Sequence, residues 1–155
     1  EKTLAGELNQ LPEYEEEGTA WRTVWGKVAN TKFSLFYYRY PLIKKTIPFA
    51  GIRMLSKEDI AAMKIHALED RGTKRDFIDL YFICKDYDLS YLLELYERKF
   101  AKYNVPVWHA VKSLEYFVDA EENDLPEMLK PVNWIHVKHF FAGQAKLLAK
   151  QWGIG

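Results

Sequence analysis

Five charged side chains within one short stretch have types and a spacing that suit a phosphate site. The stretch is "KIHALEDRGTKRDFIDLYF" (residues 64–82), and the five side chains, among its eight charged ones, are Lys64, Arg71, Arg75, Asp76 and Asp79. On a helix, Lys64 and Arg71 lie two turns apart on nearly the same face, about 10 Å along the axis. Cations so placed can contact two points of a polyphosphate, with nearby carboxylates to orient them.

The same charges also have a structural interpretation. The inward stripe of the first helix is predicted to be Ile60, Met63, Ala67 and Leu68. Lys64 falls within this stripe, so it must extend to solvent, pair with an acid or meet an anionic ligand. Asp76 completes a capping box that begins at Thr73, and Asp79 can pair with Lys64 or Arg71. Spacing alone favours a structural ion-pair network over a ligand site.

Local signals predict the helices that position these residues. Ser56 and Asp59 form a capping box that starts a helix ending near Arg71, where Gly72 follows. A second helix is predicted from about Thr73 to Lys85. Three more helices are predicted after Ser90, after Pro106 (as far as Ala120) and after Asn133.

The N-terminal part of the chain has the pattern of strands. "EYEEEG" (13–18) predicts a solvated helix end or loop, and residues 19–41 predict a β-hairpin with its turn near Ala29 and Asn30. Trp21, Thr23 and Trp25 are expected on one face of the first strand. The second strand is apolar on both faces, which predicts cover on both sides. "GIRML" (51–55) predicts a third short strand. The fold class is therefore α+β, a small antiparallel sheet or hairpin followed by about five helices.

Composition excludes several classes of function. Lysine plus arginine equals aspartate plus glutamate at 22 each, so the formal net charge is zero and any basic site must be local. The single cysteine, Cys84, excludes an intramolecular disulfide, fits a reducing compartment and is expected to be a buried, inert thiol. No apolar run is long enough to span a membrane, and no signal-peptide pattern opens the chain. A cytoplasmic protein is predicted, with no membrane partner.

The charged stretch also carries a resemblance to a known family. Lys64-x-x-Ala67-x-x-x-Arg71-x-x-x-Arg75-Asp76-x-x-Asp79-Leu80 fills every position of K-x-x-A-x-x-x-R-x-x-x-[KR]-D-x-x-D-L. This pattern resembles a signature of the AbiEii family of nucleotidyltransferase-like toxins, from abortive-infection toxin–antitoxin systems. The flanking stretches "YRYPLI", "GIRMLSKEDIAAMK" and "LEYFVDAEENDLP" resemble family stretches as well. The similarity covers most of residues 30–135.

The resemblance implies both a fold and a chemistry. The fold is that of the C-terminal part of a nucleotidyltransferase related to DNA polymerase β, in which Mg²⁺ and a nucleoside triphosphate are bound and a nucleotide is passed to an acceptor. Catalytic roles would fall to Lys64, Asp76 and Asp79, and phosphate binding to Lys64, Arg71 and Arg75. Asp119, in "YFVDAEEND", would be an additional acidic position. The implied partners are an antitoxin protein and an RNA or protein acceptor.

One part of the family pattern is not found in this sequence. The family has a Gly-Ser or Gly-Gly turn and an Asp-x-Asp strand before the matched region, whereas the first aspartate here is Asp59. No metal ligand is therefore predicted. Residues 1–55 are expected to be a β-rich remnant of a nucleotidyltransferase-like sheet region, and residues 56–155 the helical region that carries the motif. The chain is either part of a longer enzyme or a degenerate member that binds a nucleotide or a protein without catalysis.

Overall fold

Strands precede the long helices along the chain in a computed structural model that describes residues 6–103 and 105–153. The described residues form two compact units, which divide between Tyr40 and Pro41. The fold is α+β, as the sequence predicts. The strands are β1 Tyr14–Ala20, β2 Thr23–Val28, β3 Thr31–Phe36, β4 Ile47–Phe49 and β5 Ile52–Met54. The helices are α1 Lys57–Asp70, α2 Lys74–Ile83, α3 Leu89–Phe100, α4 Val107–Ser113, α5 Val118–Glu121 and α6 Trp134–Gln151, with a 3₁₀ turn at Ala101–Tyr103.

The first unit is a three-stranded antiparallel sheet in the order β1-β2-β3. The predicted turn between β2 and β3 is confirmed, because Ala29 and Asn30 both have positive φ, 46° and 65°, as in a tight two-residue hairpin turn. The prediction of a helix end or loop at residues 13–18 was wrong. Residues 14–18 of this acidic run lie in β1, an edge strand whose glutamates face solvent, and Glu17 pairs with Lys27 of β2 at 2.9 Å.

Two further predictions about this sheet were wrong. Trp21 does not share a strand face with Thr23 and Trp25, because Trp21 and Arg22 form the β1–β2 turn with positive φ, and Trp21 is 97% exposed. The second strand of the predicted hairpin, β3, is not covered on both sides, since Leu35 and Phe36 are exposed in the described structure. An apolar pattern on both faces of a strand does not itself provide a neighbouring layer.

The second unit begins with the two-stranded β4–β5 hairpin, which confirms the strand predicted in "GIRML". The predicted helix starts are also confirmed. Ser56, Thr73 and Asn133 are N-caps whose side chains accept backbone N–H groups. α1 ends at Asp70 with Arg71 as its C-cap, and Gly72 follows with a φ of 43°. α3 starts at Leu89, after Asp88, two residues earlier than the predicted start after Ser90.

The prediction of a single helix after Pro106 was wrong. Helix α4 ends at Ser113, and a separate short helix, α5, begins at Val118. The Phe117 ring between the two helices lies 5.0 Å from the Phe77 ring of α2 and 6.0 Å from the Trp134 ring of α6. Packing against two other helices has overridden a helical pattern that the local sequence supports.

The core of the second unit forms around α1, which packs against α2, α3 and α4. The prediction of which residues of α1 point inward was wrong for three of the four residues and right for Leu68. Ile60, Met63 and Ala67 are only half-buried, and the fully buried residues of the helix are Asp59, Ala61, Ala62, Ile65 and Leu68. A helix with neighbours on several sides has no single apolar face for the periodicity to reveal. No helix among the described residues has the length and apolar character needed to cross a bilayer.

Candidate functional site

The candidate site is built on the hairpin formed by α1 and α2. The buried Gly72 has a φ of 43° and carries the chain from one helix to the next in a tight turn. The first turns of α2 therefore return beside the middle of α1. Lys64 Nζ lies 2.9 Å from Asp76 Oδ1 and 2.7 Å from Asp79 Oδ2. The turn between the helices thus brings the Lys64 ammonium of α1 beside two carboxylates of α2.

Asp76 is the most enclosed member of this cluster, with a side chain that is 2% exposed. Its backbone N–H donates to the N-cap hydroxyl of Thr73 at 3.3 Å, and that hydroxyl donates to Asp76 Oδ2. Arg71 Nε lies 3.5 Å from the same oxygen. Burial alone raises the pKa of Asp76, but the hydrogen bonds from Thr73 and Lys64 and the charge of Arg71 together hold it below its ordinary value.

Lys64 is charged for the corresponding reason. Burial by itself lowers the pKa of Lys64, but its hydrogen bonds to Asp79 and Asp76 outweigh burial and raise the pKa above its ordinary value. The side chain is 21% exposed, whereas that of Asp79 is 44% exposed. A fixed ammonium is thus held at the boundary between the protein interior and solvent.

A groove of about 550 Å³ opens beside this ammonium. Its lining includes Lys64, Arg71, Thr73, Arg75, Asp76 and residues 123–126. The opposite wall is attached to α2, because Lys74 Nζ donates to the carbonyl of Asn123 at 2.6 Å and the Lys74 backbone N–H donates to Asn123 Oδ1 at 3.2 Å. Guanidinium and ammonium groups around one concave surface are suited to binding phosphate oxygens.

All of the residues predicted for the site except Asp119 lie at or beside the groove. Lys64, Arg71, Asp76 and Asp79 come together, and Arg75 is exposed on the groove wall. Asp119 lies half-buried in α5 and is not among the residues that line the groove. The roles assigned to these residues stay predictions.

Sequence reasoning missed a second lysine–aspartate cluster, which is closed to solvent. Asp59 Oδ1 lies 2.6 Å from Lys99 Nζ, and both side chains are 0% exposed. The backbone N–H groups of Ile43 and Lys44 donate to Asp59 at 2.9 and 3.0 Å, and Lys99 also donates to the Pro41 carbonyl at 2.6 Å. The sequence contained one signal for this cluster. Lys99 occupies a position on the face of α3 that is otherwise made of buried Leu, Tyr and Phe residues. The sequence pattern predicts only a helix-start role for Asp59.

Comparison with known proteins assigns the chain to a family. Residues 35–148 match the family described as "Nucleotidyl transferase AbiEii toxin, Type IV TA system". The chain belongs to the AbiEii family. This match includes the whole of the α1–α2 hairpin and the segment that forms the opposite wall of the groove.

A relative of this AbiEii chain is the uncharacterized protein aq_aa25 of Aquifex aeolicus (strain VF5). The two are 40% identical over 119 residues, which amount to 74% of this chain and 56% of that protein. The chain therefore spans little more than half the length of this relative. No solved structure matches.

The residues at the groove do not fit a resident Mg²⁺ ion, although the AbiEii resemblance implies one with the nucleotide. Mg²⁺ requires several oxygen ligands with nearly octahedral geometry. Asp76 and Asp79 each direct an oxygen toward Lys64, and the described residues contain no group of three His, Cys, Asp or Glu side chains placed to hold a metal. The cations on the groove lining, Lys64, Arg71 and Arg75, are suited to an anion, and they outnumber its carboxylates, Asp76 and Asp124.

Cys84, at the end of α2 in this AbiEii chain, does not have the properties of a nucleophile. Burial raises the pKa of its thiol to about 12, so the thiolate is scarce at neutral pH. Its side chain is half-buried. The sequence-based interpretation of Cys84 as an inert thiol is consistent with this environment.

Proposed function

We propose that the groove beside Lys64 binds the phosphate groups of a nucleoside triphosphate, as the helical part of an AbiEii-type nucleotidyltransferase toxin site. One observation carries the proposal. The Lys64 ammonium is held between Asp76 and Asp79 at the edge of a groove that Arg71 and Arg75 also line. A preorganised cation on a concave surface binds an anion without first having to be ordered.

Each residue has a defined part in this proposal. An ammonium has three N–H donors, and among the described residues two carboxylates take two of them, which leaves the third for a phosphate oxygen. Arg71, 66% exposed, and the exposed Arg75 supply further N–H donors. In this proposal Asp76 and Asp79 are positioning residues that hold Lys64 in place and keep it charged, in place of the catalytic roles that the family resemblance implies for them.

The wider context follows from family membership and belongs to the same proposal. Residues 1–55 would correspond to a nucleotidyltransferase-like sheet region and residues 56–155 to the helical region that carries the motif. The protein would act in the cytoplasm, with an antitoxin as its protein partner and an RNA or protein as the acceptor of the nucleotide.

Calorimetric titration with inorganic tripolyphosphate and with ATP, each with and without Mg²⁺, tests the phosphate site. Arg71→Gln combined with Arg75→Gln should weaken binding of both anions by roughly tenfold or more, because charge-assisted hydrogen bonds to phosphate are lost. The double variant Arg53→Gln/Arg98→Gln removes two other exposed arginines and is the matched control. Equal affinities of the two double variants, or no binding by the parent chain, would contradict the proposal.

A binding module without transfer chemistry is the second candidate. The commitment of Asp76 and Asp79 to Lys64 favours it, because those oxygens then serve an ammonium and not a metal ion. Incubation of the chain with Mg²⁺, RNA and nucleoside triphosphates labelled on the α-phosphate separates the two candidates. Nucleotide binding without transfer of label supports the module, and transfer that depends on Lys64 supports the enzyme.

A further inference from the structure

A second groove, of about 520 Å³, adjoins the first and shares Arg75 and Pro126 with it. One wall is the face of α2 that presents Ile78, Phe82 and Ile83, and the other is the segment of residues 126–130. Ile78 and Ile83 are buried, and Phe82 is half-buried. The second groove therefore has apolar residues on its α2 wall, although charged side chains also line it.

The two grooves follow α2 in one direction. Arg75, Ile78 and Phe82 are spaced by three and then four residues, so they lie on one face of the helix, and Phe82 is about 10 Å along the axis from Arg75. The far end of the second groove is polar, because Lys57 and Asp86 pair there at 2.5 Å. Between the cationic groove and this pair lies the apolar surface of Ile78 and Phe82, which the charged side chains of Asp79, Lys85, Glu127 and Lys130 border.

We propose that the second groove receives the ribose and base of the nucleoside triphosphate whose phosphates occupy the first groove. The inference rests on the proposed function, because the phosphates set the position of the rest of the molecule. The Phe82 ring lines the groove with the ammonium of the exposed Lys85 4.6 Å from its centroid, so a base that stacks on the ring takes the place of this flexible side chain or packs beside it. The Lys57–Asp86 pair offers a donor and an acceptor to the edge of the base. Both groove volumes lie in the range of sites that hold small molecules.

The contribution of the base is measured as a ratio of affinities. Each of the four nucleoside triphosphates and inorganic tripolyphosphate is titrated into the parent chain, and the ratio isolates the nucleoside from the phosphates. At least one nucleoside triphosphate should bind roughly tenfold more tightly than tripolyphosphate, the effect expected from stacking one base. Phe82→Leu should bring this ratio close to one while the affinity for tripolyphosphate stays the same.

Phe140→Leu is the matched control, because Phe140 is also half-buried and contacts Tyr81 but lines neither groove. It should keep the parent ratio. Thermal unfolding checks that each variant is folded. If Phe82→Leu is unfolded, Met128→Ala on the opposite wall gives the same measurement, with a smaller expected decrease in the ratio.

The outcomes separate this inference from the proposed function. Tripolyphosphate binding that depends on Arg71 and Arg75, with a parent ratio near one, would overturn the nucleoside site alone. Absence of any triphosphate binding would overturn both. A ratio unchanged in Phe82→Leu and Met128→Ala, with weaker self-association of Phe82→Leu in sedimentation, would assign the apolar groove to a second copy of the chain and overturn its assignment to a base.

Discussion

Two helix starts in this chain share one design but differ in their surroundings. Ser56 and Asp59 begin α1, and Thr73 and Asp76 begin α2, each with a hydroxyl at the N-cap and an aspartate three residues later. In both, the hydroxyl donates to the aspartate. A lysine from another helix then pairs with each aspartate, as Lys99 of α3 does with Asp59.

The difference between the two starts lies in what covers the lysine. The Lys99 side chain is 0% exposed and donates to Asp59 and the Pro41 carbonyl, so its charge is neutralised by groups of the protein and is closed to solvent. Lys64 is 21% exposed and faces a groove that Arg71 also lines. The closed pair holds the segment at residues 41–44 onto α1, whereas the open pair leaves part of its lysine side chain accessible from the groove. One capping pattern with a distant lysine therefore serves structure in one place and is available for function in the other.

The closed pair should show the larger effect on stability. Lys99→Met is expected to lower the free energy of unfolding by about 3–5 kcal/mol, because Asp59 is left charged and fully buried without its cation. Urea unfolding measures the loss, with Lys102→Met, an exposed lysine just after α3, as the control. A loss equal to that of the control would show that the pair does not stabilise the fold.

The open cluster should show a smaller effect. Lys64→Met is expected to lower the free energy of unfolding by about 2 kcal/mol, because Asp76 keeps its bond to Thr73 and lies near Arg71. The same urea unfolding experiment gives the value. If the loss matches that of Lys99→Met, the comparison fails, because the open cluster would then be as necessary to the fold as the closed one.

The smallest effect is expected in the dependence of stability on acid. The pKa values of Asp59 and Asp76 are both lowered, although burial opposes this in each, by hydrogen bonds from Lys99 and the Ile43 backbone in one case and from Thr73 and Lys64 in the other. The stabilisation from these two carboxylates is present above their unfolded-state pKa of about 3.9 and is lost as the pH falls through their lower folded-state pKa values.

Asp76→Asn removes one of these two contributions. Between pH 5 and pH 3 (chosen to bracket the unfolded pKa), its free energy of unfolding should fall less than that of the parent, by about 1 kcal/mol. Urea unfolding at a series of pH values measures both slopes, with Asp88→Asn at the exposed start of α3 as the control. Identical slopes for Asp76→Asn and the parent would mean that Asp76 is not held ionised by its neighbours.

Local signals were sufficient where a structure depends on a few adjacent residues. The N-caps Ser56, Thr73 and Asn133 and the Ala29–Asn30 turn were predictable because the same few residues both form and satisfy the backbone geometry. The run at residues 13–18 was misread because glutamates on an edge strand look the same in sequence as glutamates on a solvated loop.

The prediction of one continuous helix between Pro106 and Ala120 was wrong for another reason. Its interruption depends on the Phe117 ring contacting Phe77 and Trp134, residues about forty and seventeen positions away in sequence. The inward face of α1 was likewise set by three neighbouring helices and not by its own pattern. Contacts between residues that are distant in sequence cannot be inferred from local sequence patterns.

The sequence by itself determined the AbiEii motif, the α+β order of elements and the helix starts that place Asp59 and Asp76. Only the tertiary structure decided that Lys99 is enclosed and that Lys64 opens onto a groove. The physical reason is that the cost of burying a charge depends on every group that surrounds it. For Lys99 and Asp59 those groups include Pro41 and Ile43, which the fold brings close from far along the chain.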